Sequence, residues 1–158
     1  MKTSFSSTRS GLRQTFGDFV CLVCHHFVSA EAALSGVQNR NHCPYCLSSR
    51  HLDLYSAGDR LSACKASMRP IALTLKKTLK KYPGRAQGEL MLVHLCTDCG
   101  GLSINRIAAD DDRAAVLEIF ERSRRLEAPT RALLTQNGVS LLEAGQQGLV
   151  REQLFGRN

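Results

Sequence analysis

The sequence predicts an α+β protein in which small, cysteine-stapled β-modules come first and a helical extension follows. Three observations predict it. Cysteines recur as CxxC pairs, at Cys21/Cys24, Cys43/Cys46 and Cys96/Cys99. Alternating apolar residues beside these pairs mark short strands, as at Ile71, Leu73 and Leu75 and again at Leu90, Leu92, His94 and Cys96. Beyond Asp110 the spacing becomes helical, with Val116, Leu117 and Phe120 forming a stripe. A chain of 158 residues suffices for one ordinary domain or a small stapled domain with an appendage. Aromatic residues are only 6% and Trp is absent, so the expected core is light and in need of a staple.

The cysteine spacing says what that staple is. Eighteen residues separate Cys24 from Cys43, so the first two pairs read C-x2-C-x18-C-x2-C. That spacing lets four thiolates close a tetrahedral zinc site, and a closed site is structural. Disulfides fit less well: seven cysteines leave one thiol over, and tight CxxC pairs suit chelation. No secretory signal is read and no stretch approaches a membrane span, so a reducing cytoplasm is the expected setting. Cys21-Leu22-Val23-Cys24-His25 also matches a haem-attachment pattern, and any one pair matches a thioredoxin-like motif. The matched second pair favours zinc over both.

Taken in order, residues 1–15 are Ser/Thr-rich, carry Lys2, Arg9 and Arg13, and lack acids. This is the composition of a targeting presequence, read here as a flexible basic arm. Residues 16–109 form a double zinc-ribbon-like region. Phe19 and Val20 lead into the first pair and Phe27 and Val28 return from it. Glu31 to Leu34 is expected to make a helical turn stopped by Gly36. Pro44 pre-shapes the second pair by fixing one backbone angle. After it His51, Asp53 and Tyr55 alternate with Leu52 and Leu54 as a short strand. Gly58-Asp59, Pro83-Gly84 and Gly88 mark turns. Residues 110–158 are the helical extension. Asp110, Asp111 and Asp112 are read as the N-terminal charge of a helix over Ala114 to Arg125, in preference to a Mg²⁺ site. Pro129 interrupts, Thr130 to Gln136 forms a second helix, and Ser140 to Glu143 is read as a capping box opening a third.

A second metal site is expected from Cys64, Cys96 and Cys99, making two zinc ions in all. His94, two residues before Cys96 on the same strand face, is the first choice for the fourth ligand, and His51 is the second. The alternative is a free Cys64 and a third pair that either is empty or exchanges with one of the other pairs.

Charge is uneven. Through residue 100 there are thirteen Lys and Arg against six Asp and Glu, whereas the remainder has eight of each. The whole net +7 therefore sits with the cysteines and all five His, a footprint of phosphate-backbone binding. Arg40, Arg50, Arg60 and Arg69, with Lys76, Lys77, Lys80, Lys81 and Arg85, are the candidate contacts. Asn41 and His42 read equally as contacts or as supports for the neighbouring sulfurs. No nucleophile elbow, P-loop or HExxH motif is found.

Arg40-Asn41-His42-Cys43-Pro44 spells the letters of the RNHCP-domain family, which the chain resembles from about residue 16 to 115. Further matches are Phe19, Cys21, Cys24, Cys46, Leu47, His51, Asp53, Gly58-Asp59-Arg60, Cys64, Met68, Pro70, His94, Cys96, Cys99, Gly100, Asn105-Arg106, Asp110 and Asp111. One departure is His25-His26 after the first pair, where relatives usually carry Gly. The resemblance implies a zinc-ribbon-type fold, metal binding and a bacterial cytosolic setting, and it implies no particular activity. The combined expectation is a non-catalytic zinc protein that binds structured RNA, ribosomal or ribosome-associated. Its rivals are a DNA-binding or transcription-associated zinc ribbon, a zinc enzyme with an open second site, and a protein adaptor using the C-terminal helices.

Overall fold

A computed structural model describes residues 17–76 and 88–156. The basic arm, Lys77, Lys80, Lys81, Arg85 and the Pro83-Gly84 turn lie outside the described residues. The first pair sits in the turn of a two-stranded hairpin, β1 (Phe19–Val20) and β2 (Phe27–Val28), with Val20 opposite Phe27. A single helical turn follows, α1 (Ala32–Ser35), closed by Gly36 at φ 71°, as the sequence predicts.

The second sheet is an antiparallel meander of four strands in sequence order: β3 (Ser49–Arg50), β4 (Ser67–Lys76), β5 (Glu89–Cys96) and β6 (Leu102–Arg106). Residues 51–59 do not continue as a strand. Asp59 gathers the backbone N–H groups of Leu54, Tyr55, Ser56 and Leu61 onto its carboxylate, a local alternative that outcompetes strand pairing. β4 also departs from simple alternation. Pro70 offers no N–H to the ladder, and the register shifts between Pro70 and Ala72. Ile71 consequently packs with Ala72 and Val93, on the face opposite Leu73.

Both faces of the sheet are covered, which explains why β5 is buried almost throughout. One face carries Leu47, Leu73, Leu90 and Leu92 against Val116, Ile119 and Phe120 of α2 (Arg113–Ser123) and Val150 and Leu154 of α4 (Gln147–Phe155). The other packs Ile71, Ala72 and Val93 on Leu134 of α3 (Ala128–Gln136) and on Val139. The C-terminal helices thus complete the core of the sheet. No helix among the described residues is long and apolar enough to cross a membrane.

Three local readings change. Of the three aspartates only Asp112 caps α2, accepting from the N–H of Ala114 and Ala115. Pro129 starts α3 instead of interrupting it, because the first turn does not need its N–H. The capping box is Glu143 with Gln146, ahead of a 3₁₀ turn at Ala144–Gln146. Residues 140–143 lie across the sheet, where the Ser140 carbonyl accepts from the buried Thr74 hydroxyl at 2.7 Å.

Candidate metal centres

Each CxxC pair closes a tight turn of one design. The N–H of Cys21 bonds the His26 carbonyl, that of Cys43 the Ser48 carbonyl and that of Cys96 the Gly101 carbonyl, at 2.8–2.9 Å. The residue after each second cysteine must then turn through the left-handed region. Gly100 does so at φ 71°, and His25 and Leu47 do so at φ 60° and 59° despite their side chains. The departure at His25 therefore keeps the turn and accepts the strain.

Cys21, Cys24, Cys43 and Cys46 bring four sulfurs within 4.8 Å of one another. The Cys21 and Cys46 sulfurs are 3.5 Å apart, as are those of Cys24 and Cys43. Tetrahedral zinc with bonds of about 2.3 Å would set sulfurs about 3.8 Å apart, whereas a disulfide needs about 2.05 Å. The donor set fits zinc. Cys21 and Cys43 are buried against Val28 and Phe19. Burial opposes ionisation of Cys21, but the N–H groups of Cys24 and Val23 and the thiols of Cys46 and Cys24 outweigh it. They bring Cys21 from 9.0 down to about 7. Burial pushes the Cys43 and Cys46 thiols up, so ionising those two falls to the metal's charge.

The second cluster consists of His51, Cys64, Cys96 and Cys99, again within 4.8 Å. Cys64 Sγ is 3.6 Å from Cys96 Sγ, and Cys99 Sγ is 3.2 Å from His51 Nδ1. The N–H groups of Cys99 and Asp98, with the Cys64 and Cys99 thiols, overcome burial at Cys96 and bring it down to about 6. Gly101 makes room for the histidine: a Cβ there would lie 2.9 Å from His51 Cε1 and 3.3 Å from Cys99 Sγ. Both clusters are compatible with zinc, two ions in all.

His94 is not a ligand. It lies fully buried beneath the second pair, its Nε2–H donating to the Leu47 carbonyl at 2.7 Å and its Nδ1 accepting from Asn105 at 2.9 Å. Burial, then the nearby His42, hold its pKa down at about 3, against the Leu47 bond. It is a neutral strut between the second CxxC turn and the sheet.

The five letters Arg40 to Pro44 also point inward. The Arg40 side chain is wholly buried; its Nε donates to the His42 carbonyl (3.0 Å), Nη1 to Asp110 (2.8 Å) and Nη2 to Asp111 (3.3 Å). An outward, anion-facing role for Arg40 is thereby corrected. His42 Nε2 meets Asp111 at 2.8 Å, and the Pro44 carbonyl accepts from the Asp112 N–H at 2.9 Å. The motif thus fastens the second CxxC turn to the start of α2. Asn41 donates to Asp53 at 2.8 Å and accepts from Arg60 Nη1. Among the remaining candidate cations, Arg69 and Lys76 are exposed and Arg50 and Arg60 half-buried. The sequence reading missed Asp111 and Asn105 as partners; their presence among the matched family positions was the available signal.

A zinc-ribbon-type protein with two four-donor Cys/His clusters suited to a metal ion is what this fold and these sites define. The family model for the RNHCP domain matches residues 16–117, and the chain belongs to that family. Searches of curated proteins and of solved structures returned no match.

Proposed function

We propose that this is a non-catalytic, zinc-stabilised module of the cytoplasm that binds structured RNA, most simply ribosomal RNA or a ribosomal particle. The observation that carries the reading is the charge distribution: the whole net +7 lies in the hundred residues that hold the metal clusters. Exposed Lys65, Arg69 and Lys76 belong to that half. Both clusters supply four protein donors, enough to fill a tetrahedral shell, and this speaks for metal as scaffold over a zinc enzyme with an open position. Aromatic residues that could stack on splayed bases are few, 6% of the chain, which favours recognition of backbone and shape over a sequence code.

Equilibrium binding of the zinc-loaded protein to a folded rRNA fragment and to duplex DNA of equal length tests the reading. Affinity for the RNA should fall linearly in log–log form with salt, by about 0.7–0.9 in slope per phosphate contact. A salt-insensitive affinity, or preference for the duplex DNA, refutes it.

A further inference from the structure

A cavity of about 230 Å³ opens between the first hairpin and the second CxxC turn, lined by Gly17, Phe19, Arg40, Asn41, Arg50, Leu52 and Arg60. Three guanidinium-bearing side chains from separate segments converge on it, and they are not in the same state. Arg40 closes one wall with its charge met by Asp110 and Asp111. Arg60 leans on Asn41 Oδ1 and stands 3.9 Å from Asp53. Arg50 has no such partner: its Nε is buried, and no protein group among the described residues accepts its hydrogen. A shielded N–H with no acceptor is destabilising, the more so when charged, so native folds rarely keep one without a use.

The backbone supplies a second, independent sign. Arg60 sits at φ 56°, a conformation unfavourable for any residue with a side chain. Its own N–H is held by Asp53 at 3.1 Å, and Asp53 is held by Asn41. Asp59 cages the preceding turn. A loop is thus strained and braced in a shape that lays Arg60 along this cavity. The lining is also two-sided in character, with Phe19 and Leu52 contributing apolar surface beside the cations.

We infer that this cavity is a phosphate-ester site, with Arg50 as its principal anion ligand, Arg60 assisting, and Phe19 and Leu52 receiving the organic part. An Arg fork matches a phosphate in geometry as well as charge. Phosphate is chosen over other anions on the strength of the RNA reading above. The same chemistry has two sources, a nucleotide within an RNA chain and a free mononucleotide.

The zinc-loaded full chain should be titrated with inorganic phosphate, with 5′-AMP, with adenosine and with a folded RNA, following both calorimetry and the Arg Nε–H resonances. The expected result is binding of 5′-AMP but not adenosine, a shift of the Arg50 Nε–H, and at least tenfold weaker binding in Arg50→Gln. Arg50→Lys should recover only part of that loss, and the control Arg151→Gln, at an exposed position of α4, should show no loss. Zinc content of two ions per chain and an unchanged thermal midpoint without ligand certify that the variants fold. Binding of 5′-AMP without RNA binding would retain the cavity as a free-nucleotide site and remove the RNA reading. RNA binding that Arg50→Gln leaves unaltered, with no phosphate or 5′-AMP response, would overturn the cavity and spare the RNA reading. An unmoved Arg50 Nε–H at saturating 5′-AMP would also overturn it.

Discussion

Replacing Asp111 by Ala removes one carboxylate and strands three donors. Asp111 is 4% exposed and accepts from His42 Nε2 at 2.8 Å, from Arg40 Nη2 at 3.3 Å and from the Ala108 N–H at 2.8 Å. Each buried donor left unmet costs about 1–3 kcal/mol, and breaking a buried charged pair from one side costs about 3–5 kcal/mol. Arg40 still holds Asp110, so its charge is not left wholly bare, and the expected total is about 3–5 kcal/mol. Asp110→Ala is the internal control. Its side chain is 41% exposed and Arg40 would retain Asp111, so the loss should be the smaller one, about 1–2 kcal/mol for the single buried Nη1–H left unmet. The double substitution strips Arg40 of both partners and should cost more than the sum of the single changes. Urea unfolding at fixed free zinc is the assay. With a slope of ~2 kcal/mol/M, Asp111→Ala should lower the midpoint by roughly 2 M at unchanged slope. Equal losses for the two single variants, or a loss below about 1 kcal/mol for Asp111→Ala, would refute the claim that the motif is an inward clamp.

Two predictions concern the second metal centre. His51→Ala should lower affinity for the second zinc at least tenfold and replace the nitrogen by a water oxygen in the metal-edge spectrum. His94→Ala should keep two tightly bound ions and lose about 2–4 kcal/mol of stability through its cavity and the stranded Leu47 carbonyl. If His94→Ala were the variant that lost the ion, the ligand assignment would be wrong. Gly101→Ala should crowd His51 and Cys99 and weaken the second zinc about tenfold or more, whereas Gly145→Ala, with open space around it, should change nothing. Competition with a chromogenic chelator reads both effects.

What the sequence disclosed was local. A CxxC turn is built within six residues, so all three turns, the first hairpin and Gly36 were legible directly. Assigning His51 over His94 was not, because it depends on distance in three dimensions. Strand parity does put His94 and Cys96 on one face, but His94 spends both ring nitrogens on Leu47 and Asn105, whereas His51 Nδ1 comes within 3.2 Å of Cys99 Sγ. Asp111 meets His42 across 69 positions, and nothing near Asp111 distinguishes it from its capping neighbour Asp112. The bulge at Ile71 similarly reverses a face assignment that alternation alone would make. Arg40, Arg50 and Arg60 were singled out as anion-facing, yet only the folded chain shows one of them spent on aspartates and all three lining one cavity.

Leu47 explains why metal and core behave as one unit. A left-handed non-glycine residue costs about 1–2 kcal/mol, and glycine at this turn would avoid that. Glycine, however, would lose a fully buried side chain that packs with Leu73, Leu92 and Phe120, a burial that contributes about 1.5–3 kcal/mol. The side chain therefore offsets the strain or exceeds it. Its carbonyl, meanwhile, receives the His94 bond from the central strand. The residue immediately after a ligand of the first cluster is thus pinned into the sheet by both its side chain and its backbone. His25, at the matching position of the first turn, is exposed and lacks that return, so its strain is offset only by the hairpin's own bonds and by a metal when bound. Zinc removal should accordingly release the first hairpin before the sheet, with the second turn holding on through Leu47 until the core itself opens.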